Sequence, residues 1–186
     1  MILNIGKMQK YSALAFKIAS EHGWHDERLS DINYVGLAIT EVCEAVNADR
    51  KDKYTKLCPY DLCNEEELDD VGFQAFYEKE LKDTVESELA DAAIRLFDYA
   101  YLKWGDQMDW IRRADKVHLP DSKAPFVDTS YFLIKEVIGP NMWQVVDAVQ
   151  FLYEWADILE FDLDNHIEWK CRFNSLRPYK HGNKKY

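Results

Sequence analysis

The sequence predicts an all-α protein, a helical bundle of about five to six helices with acidic residues facing its interior. Three observations predict it. Apolar residues recur at i, i+3, i+4 and i+7 over long stretches, and no segment alternates as a half-buried strand does. Gly (7) and Pro (5) are scarce among 186 residues, which disfavours a turn-rich β fold. Two acid pairs, Glu41-Val-Cys-Glu44 and Glu88-Leu-Ala-Asp91, stand at i, i+3 inside these apolar patterns, so each pair shares a helix face.

Taken in order, residues 7–22 form the first amphipathic helix, with Tyr11, Leu14, Ala15 and Ile18 on one face. His22-Gly23 ends it, glycine being the usual stop. His22 and His25 have i, i+3 spacing, but Gly23-Trp24 breaks the helix between them, so a solvated turn is expected rather than a metal pair. Asp31 is the expected cap of a second helix reaching Arg50, built on Val35, Leu37, Ala38, Val42, Cys43, Ala45 and Val46. Residues 51–70 turn polar, with Pro59 and the run Glu65-Glu66-Glu67, and read as an excursion from the core.

A third helix covers 80–103 through Val85, Leu89, Ala92, Ala93, Leu96 and Phe97. Residues 104–125 are irregular, broken by Gly105, Pro120 and Pro125. A fourth helix over 127–138 stops at Gly139-Pro140, and a fifth over 142–160 carries Val145, Val146, Val149, Phe151, Leu152, Trp155 and Ile158. Asp162 or Asp164 caps a sixth, which ends near Leu176 ahead of Pro178. Glu154-Trp155-Ala156-Asp157 echoes Glu88-Leu89-Ala90-Asp91 but lacks a partner pair, so the echo carries no repeat.

Composition narrows the functions. A net charge of −11 argues against nucleic-acid backbone as a partner, since that surface requires a basic footprint. No stretch approaches the roughly 18 apolar residues of a membrane span, and Met-Ile-Leu-Asn-Ile-Gly-Lys does not open like a secretory signal. Of four cysteines, Cys43 and Cys171 lie in helical patterns as small apolar residues, while Cys58 and Cys63 lack the second pair of a zinc site. The expectation is a reduced, cytoplasmic protein.

The acid pairs carry the chemistry. A buried carboxylate without a partner is costly, and four converging from two helices repel one another unless a cation intervenes. Oxygen ligands favour a hard ion, Mg²⁺ first, with Mn²⁺ as a substitute. The plainer alternative is that the acids are solvated helix-face residues. A basic cluster closes the chain. Lys170, Asn174 and Arg177 follow i, i+4, i+7 spacing, and Lys180 and His181 come next. Two cations flanking an amide suit a phosphate and a base or sugar; the alternative is a basic helix end that complements its dipole.

Together these residues resemble the MazG-like, all-α nucleotide pyrophosphohydrolases, whose pattern is Glu-x-x-Glu, a spacer, then Glu-x-x-Asp. The resemblance rests on Glu41/Glu44 within Leu37–Lys51, on Glu88/Asp91 within Glu86–Ala100, and on Lys170-x-x-x-Asn174-x-x-Arg177-Pro178-Tyr179-Lys180-His181-Gly182. It covers 5–51, 80–102 and 160–186. It implies a single MazG-like domain over 1–186, with Mg²⁺ on Glu41, Glu44, Glu88 and Asp91. It implies hydrolysis of a nucleoside triphosphate, ribo or deoxy, to the monophosphate and pyrophosphate, in a homodimer or homotetramer.

Two departures stand out. Between Glu44 and Glu88 lie 43 residues, a longer spacer than in compact members, and residues 52–79 and 103–160 read as insertions able to reshape the substrate pocket or an oligomer interface. Expected substrate ligands are Lys170, Asn174, Arg177 and Lys180, with Glu44 orienting the attacking water. Asp98, seven residues beyond Asp91, is an outer acid of the site or a partner for Arg95 or Lys170. Trp24 and Tyr34 are read as core or interface rather than as base-stacking groups. Two rivals stand beside this reading: a non-catalytic nucleotide- or protein-binding member, and a di-iron carboxylate bundle, whose Glu-x-x-His motif neither Glu41 nor Glu88 supplies.

Overall fold

Asn4, Ser30, Asp69, Thr84, Asn141 and Asp162 each accept a first-turn backbone N–H through the side chain, and each opens a helix. Such a cap contributes about 1 kcal/mol and fixes where the helix begins. The computed structural model describes residues 3–56, 68–105, 121 and 123–183. Its helices are α1 (Ile5–Glu21), α2 (Asp31–Asp49), α3 (Asp70–Phe76), α4 (Val85–Trp104), α5 (Phe126–Phe132), α6 (Met142–Ile158) and α7 (Leu163–Ser175). The chain widens into π-helical turns at Tyr77–Leu81 after α3 and at Leu133–Val137 after α5. A terminal turn over Lys180–Asn183 holds His181 and Gly182 in left-handed backbone. There is no strand among the described residues.

α4 is the axis of the bundle. Fourteen of its twenty residues are buried, so it is enclosed on nearly all sides rather than along one stripe. It packs against α1, α2, α6 and α7. Ala90, Ala92, Ala93 and Ala100 on α4, with Ala38 and Ala45 on α2, keep the facing surfaces low and let backbones approach closely. Leu89, Leu96 and Phe97 fill the spaces between.

The structure revises several local expectations. Ser30, not Asp31, caps α2; Asp31 begins the helix and binds Lys103 instead. α4 starts at Val85, and Leu81 belongs to the preceding element. Residues 70–79, read as part of an insertion over 52–79, pack into the protein together with Leu81. Phe73, Tyr77 and Leu81 are buried and form a second apolar cluster with Trp169 and Phe173 of α7, where Tyr77 stacks on Phe173 at 4.3 Å. The helical spacing of Phe73, Phe76, Tyr77 and Leu81 was the available signal, masked by the acidic run before it. That run, Pro59, Cys58 and Cys63 lie outside the described residues, as does most of 104–125. Cys171 is buried, whereas Cys43 is exposed and takes no part in the core.

Residues 126–158 also belong to the main core. Leu133, Val145, Val149 and Phe151 share one apolar cluster with α1, α2, α4 and α7. No described helix is long and apolar enough to cross a membrane.

The turn that ends α1 is latched to the segment after α7. Gly23 has φ +77°, and a side chain there would strike the Tyr179 ring. The His22 imidazole is buried, with Nδ1 2.8 Å from the Ile18 carbonyl and Nε2 2.9 Å from that of Arg177. Lys180 N–H donates to the His22 carbonyl at 3.0 Å, and the Tyr179 hydroxyl donates to Asp26. The expected solvated turn at His22 is therefore a buried joint. A ring N–H donated to a backbone carbonyl contributes about 1 kcal/mol, and the approach of Nε2 to the Arg177 carbonyl ties the tail to α1.

Candidate metal centre and cavity

Three helices supply the polar interior. α2 contributes Glu41 and Glu44 at i, i+3. α4 contributes Glu88, Asp91, Arg95 and Asp98 along one stripe, and α7 contributes Lys170 and Asn174 a turn apart, with Arg177 just beyond its end. Because α4 packs against both α2 and α7, these stripes face one another. Carboxylate oxygens of Glu41, Glu88 and Asp91 lie within 4.8 Å of one another. Glu41 is 7% exposed and Glu88 4%. These three residues could hold a hard divalent cation. Glu44 lines the same cavity but is exposed and stands outside the converging trio, so the structure gathers three of the four expected acids.

Two cations are already built into the cluster. Lys170 Nζ is 2.9 Å from Asp91 Oδ2, and Arg95 Nε is 3.1 Å from Glu41 Oε1. Lys170 is itself only 7% exposed and lies over the Tyr77 ring at 5.7 Å. Sequence reasoning placed it among the phosphate ligands; its ammonium is instead paired with Asp91. Asp98 has His25 as its hydrogen-bond partner and also feels the Arg95 charge. His25 Nε2 lies 3.0 and 3.2 Å from its two oxygens, and the His25 ring stacks on Phe16.

The electrostatics follow from burial. Loss of water raises the Glu41 carboxyl from 4.5 to about 7, and neighbouring Asp91 adds to the rise while Arg95 opposes it. The same loss raises Glu88 to about 8 in spite of Lys170. Burial also pushes Asp91 upward, but Lys170 and Arg95 outweigh it and hold Asp91 below the ordinary carboxylate value. Asp98 is raised by burial, with His25 opposing. Three acids and two cations thus share a space where at least one acid lacks a full counter-charge.

Above the cluster is a cavity of about 450 Å³. Its walls come from Ala15, Ile18 and Ala19 of α1, from Trp24, and from Asn174, Arg177 and His181. Asn174 is buried, and its Oδ1 has no hydrogen-bond partner among the described residues. Arg177 is half-buried, and the His181 imidazole is pushed down to about 3 by burial and by the Arg177 charge. Trp24 meets the His181 ring edge-on at 5.2 Å. Lys180, expected beside Arg177, does not line this cavity. It borders a small adjoining recess with Trp24, Tyr34 and Leu37, so Tyr34 stacks on Tyr99 at the edge of the site rather than inside it.

Trp24, Arg95 and His181 were not among the expected site residues. Trp24 read as a core aromatic, and His181 as part of a basic tail. Only Arg95, one turn beyond Asp91 on α4, could have been drawn from helical spacing. Glu78, Lys82 and Asp83, from the end of the segment before α4, also reach the cavity, whereas none of residues 123–160 does. Of the two long segments, the first therefore touches the site and the described part of the second supports α4 from behind. No family model, curated protein or solved structure matches the chain.

Proposed function

We propose that the protein is a Mg²⁺-dependent nucleoside triphosphate pyrophosphohydrolase of MazG-like type. The observation that carries this reading is the convergence of three carboxylates from two helices at the base of a cavity whose opposite wall presents Asn174 and Arg177.

The donor set fits the ion. All three ligands are carboxylate oxygens, and they span at most 4.8 Å. Opposite oxygens around an octahedral Mg²⁺ are about 4.2 Å apart, a difference that side-chain rotation closes. Among the described residues no histidine joins the group, and neither Glu41 nor Glu88 has the histidine three residues on that a di-iron Glu-x-x-His motif supplies. When bound, Mg²⁺ supplies charge neutralisation for the triphosphate and activation of water.

The chain's residues would do the rest. Glu41, Glu88 and Asp91 hold the ion. Glu44, on the cavity wall, orients a water for in-line attack on the α-phosphorus, and the bond to the bridging oxygen breaks as pyrophosphate leaves. Arg177 binds phosphate oxygens through charge-assisted hydrogen bonds, and Asn174 Oδ1 accepts from the base or sugar. Trp24 and His181 wall the far end against water. In the cell the unit is a homodimer or homotetramer in the cytoplasm.

The test is pyrophosphate release from a panel of ribo- and deoxynucleoside triphosphates with Mg²⁺. The expected outcome is turnover in the wild type and loss of turnover in Glu88→Gln and Glu41→Gln. Equal turnover in both variants would refute it. A second reading, nucleotide binding without turnover, is favoured by one feature: Lys170 and Arg95 already neutralise two of the three acids. Binding with no pyrophosphate release across the panel would establish it.

A further inference from the structure

Resting on the metal reading above, we propose that Lys170 is a tethered cation that occupies the acid cluster until a divalent ion arrives, and whose ammonium then passes to the phosphates of the bound ligand.

The geometry sets up the exchange. Lys170 Nζ lies 2.9 Å from Asp91, one of the three carboxylates that converge within 4.8 Å. An ammonium and a divalent ion at the same carboxylate repel each other strongly, because little water is present to screen them. The incoming ion therefore displaces the ammonium. Lys170 is 7% exposed, so the displaced charge does not simply turn into bulk solvent. It must find an anion within the cavity.

The path lies along α7. Lys170, Asn174 and Arg177 line the same cavity, and its volume of about 450 Å³ leaves room for an anion between them. The buried Asn174 Oδ1, without a partner among the described residues, marks this wall as built to meet a ligand. A lysine stem with four rotatable carbons can carry its charge several ångströms with the backbone fixed, which a planar, forked guanidinium does less readily. That separates Lys170 from Arg95, whose Nε is bonded to Glu41.

The exchange couples the two ligands. A metal ion binding alone must evict Lys170 and leave it without a counter-charge. A polyphosphate binding alone meets an acidic cluster and a lysine already engaged. Bound together, each relieves the cost of the other, and the coupling is reciprocal.

The experiment is calorimetric titration of Mg²⁺ into the full chain, with and without inorganic pyrophosphate, for wild type and Lys170→Met, with Mg²⁺–pyrophosphate association in solution subtracted. The expected result is that K170M binds Mg²⁺ alone about tenfold more tightly than wild type, within the usual span of coupling between sites, and loses the gain that pyrophosphate confers. In wild-type protein labelled with ¹⁵N at lysine Nζ, the Lys170 ammonium resonance should shift when Mg²⁺ is added and shift again with pyrophosphate. This spectrum decides the matter alone if K170M does not fold. Equal or weaker Mg²⁺ affinity in folded K170M, or an ammonium resonance unmoved by saturating Mg²⁺, overturns the exchange while leaving the metal centre intact. Failure of the wild type and K170M alike to bind Mg²⁺ overturns both.

Discussion

Replacing Glu88 by glutamine should stabilise the metal-free protein, the reverse of what removing a buried charged side chain usually does. Burial raises the Glu88 carboxyl from 4.5 to about 8. Between those values the folded chain retains a proton that the unfolded chain has released, so rising pH favours unfolding. At about 1.4 kcal/mol per pH unit, the penalty reaches roughly 3 kcal/mol at pH 6.5 and up to about 5 kcal/mol above pH 8. Glutamine carries no such penalty. Buried His166, lowered to about 4, and half-buried His181, lowered to about 3, act in the opposite direction only below 6.5, so neither opposes Glu88 between pH 6.5 and 8.5. The assay is urea unfolding followed by circular dichroism, in chelator, at both pH values. E88Q should exceed wild type in stability, with about 2 kcal/mol of the advantage developing across this window. Mg²⁺ should raise wild-type stability more at pH 8.5 than at pH 6.5, and E88Q far less. An E88Q protein less stable than wild type at pH 8.5, or a difference independent of pH, would refute the electrostatic account.

Further outcomes follow from the same geometry. Asp91→Asn should behave oppositely to E88Q, losing about 3–5 kcal/mol in chemical denaturation because it leaves the buried Lys170 ammonium unpaired. His22→Ala removes two ring contacts to backbone carbonyls. It should cost about 2 kcal/mol and weaken nucleotide binding, measured by calorimetry, with Mg²⁺ affinity unchanged. Arg177→Ala should raise KM for the triphosphate about tenfold or more through a lost charge-assisted contact, whereas Lys180→Ala, outside the main cavity, should leave steady-state kinetics close to wild type. Phe173→Ala should cost about 3–5 kcal/mol in thermal or urea unfolding, since Phe173 stacks on Tyr77 and joins α7 to the segment before α4.

How much of this was legible in the chain differs from element to element. The long helices could be read because amphipathic periodicity and local caps are properties of consecutive residues. Asn141 and Asp162 open α6 and α7 with their own side chains, and His22-Gly23 closes α1 where a left-handed residue is required. The helical turns at 70–81 were hidden because their apolar face is short and follows a run of acids; only burial against Trp169 and Phe173 makes them core.

By itself the sequence indicated that the protein is helical, that Glu41 and Glu44 share one helix face and Glu88 and Asp91 another, and that Lys170 and Asn174 lie a turn apart with Arg177 close behind. Helical geometry fixes which residues of one element point the same way, and that information is local. Tertiary structure alone decided which charges meet. It set Lys170 on Asp91, Arg95 on Glu41 and His25 on Asp98, left Glu44 at the cavity wall, and closed the tail over Trp24 through His22. Those pairings depend on how α1, α2, α4 and α7 cross, and the crossings are set by alanines and aromatics far apart in the chain. Burial then does what no spacing could predict, lifting two glutamates toward neutrality while a lysine and an arginine hold the neighbouring aspartate ionised.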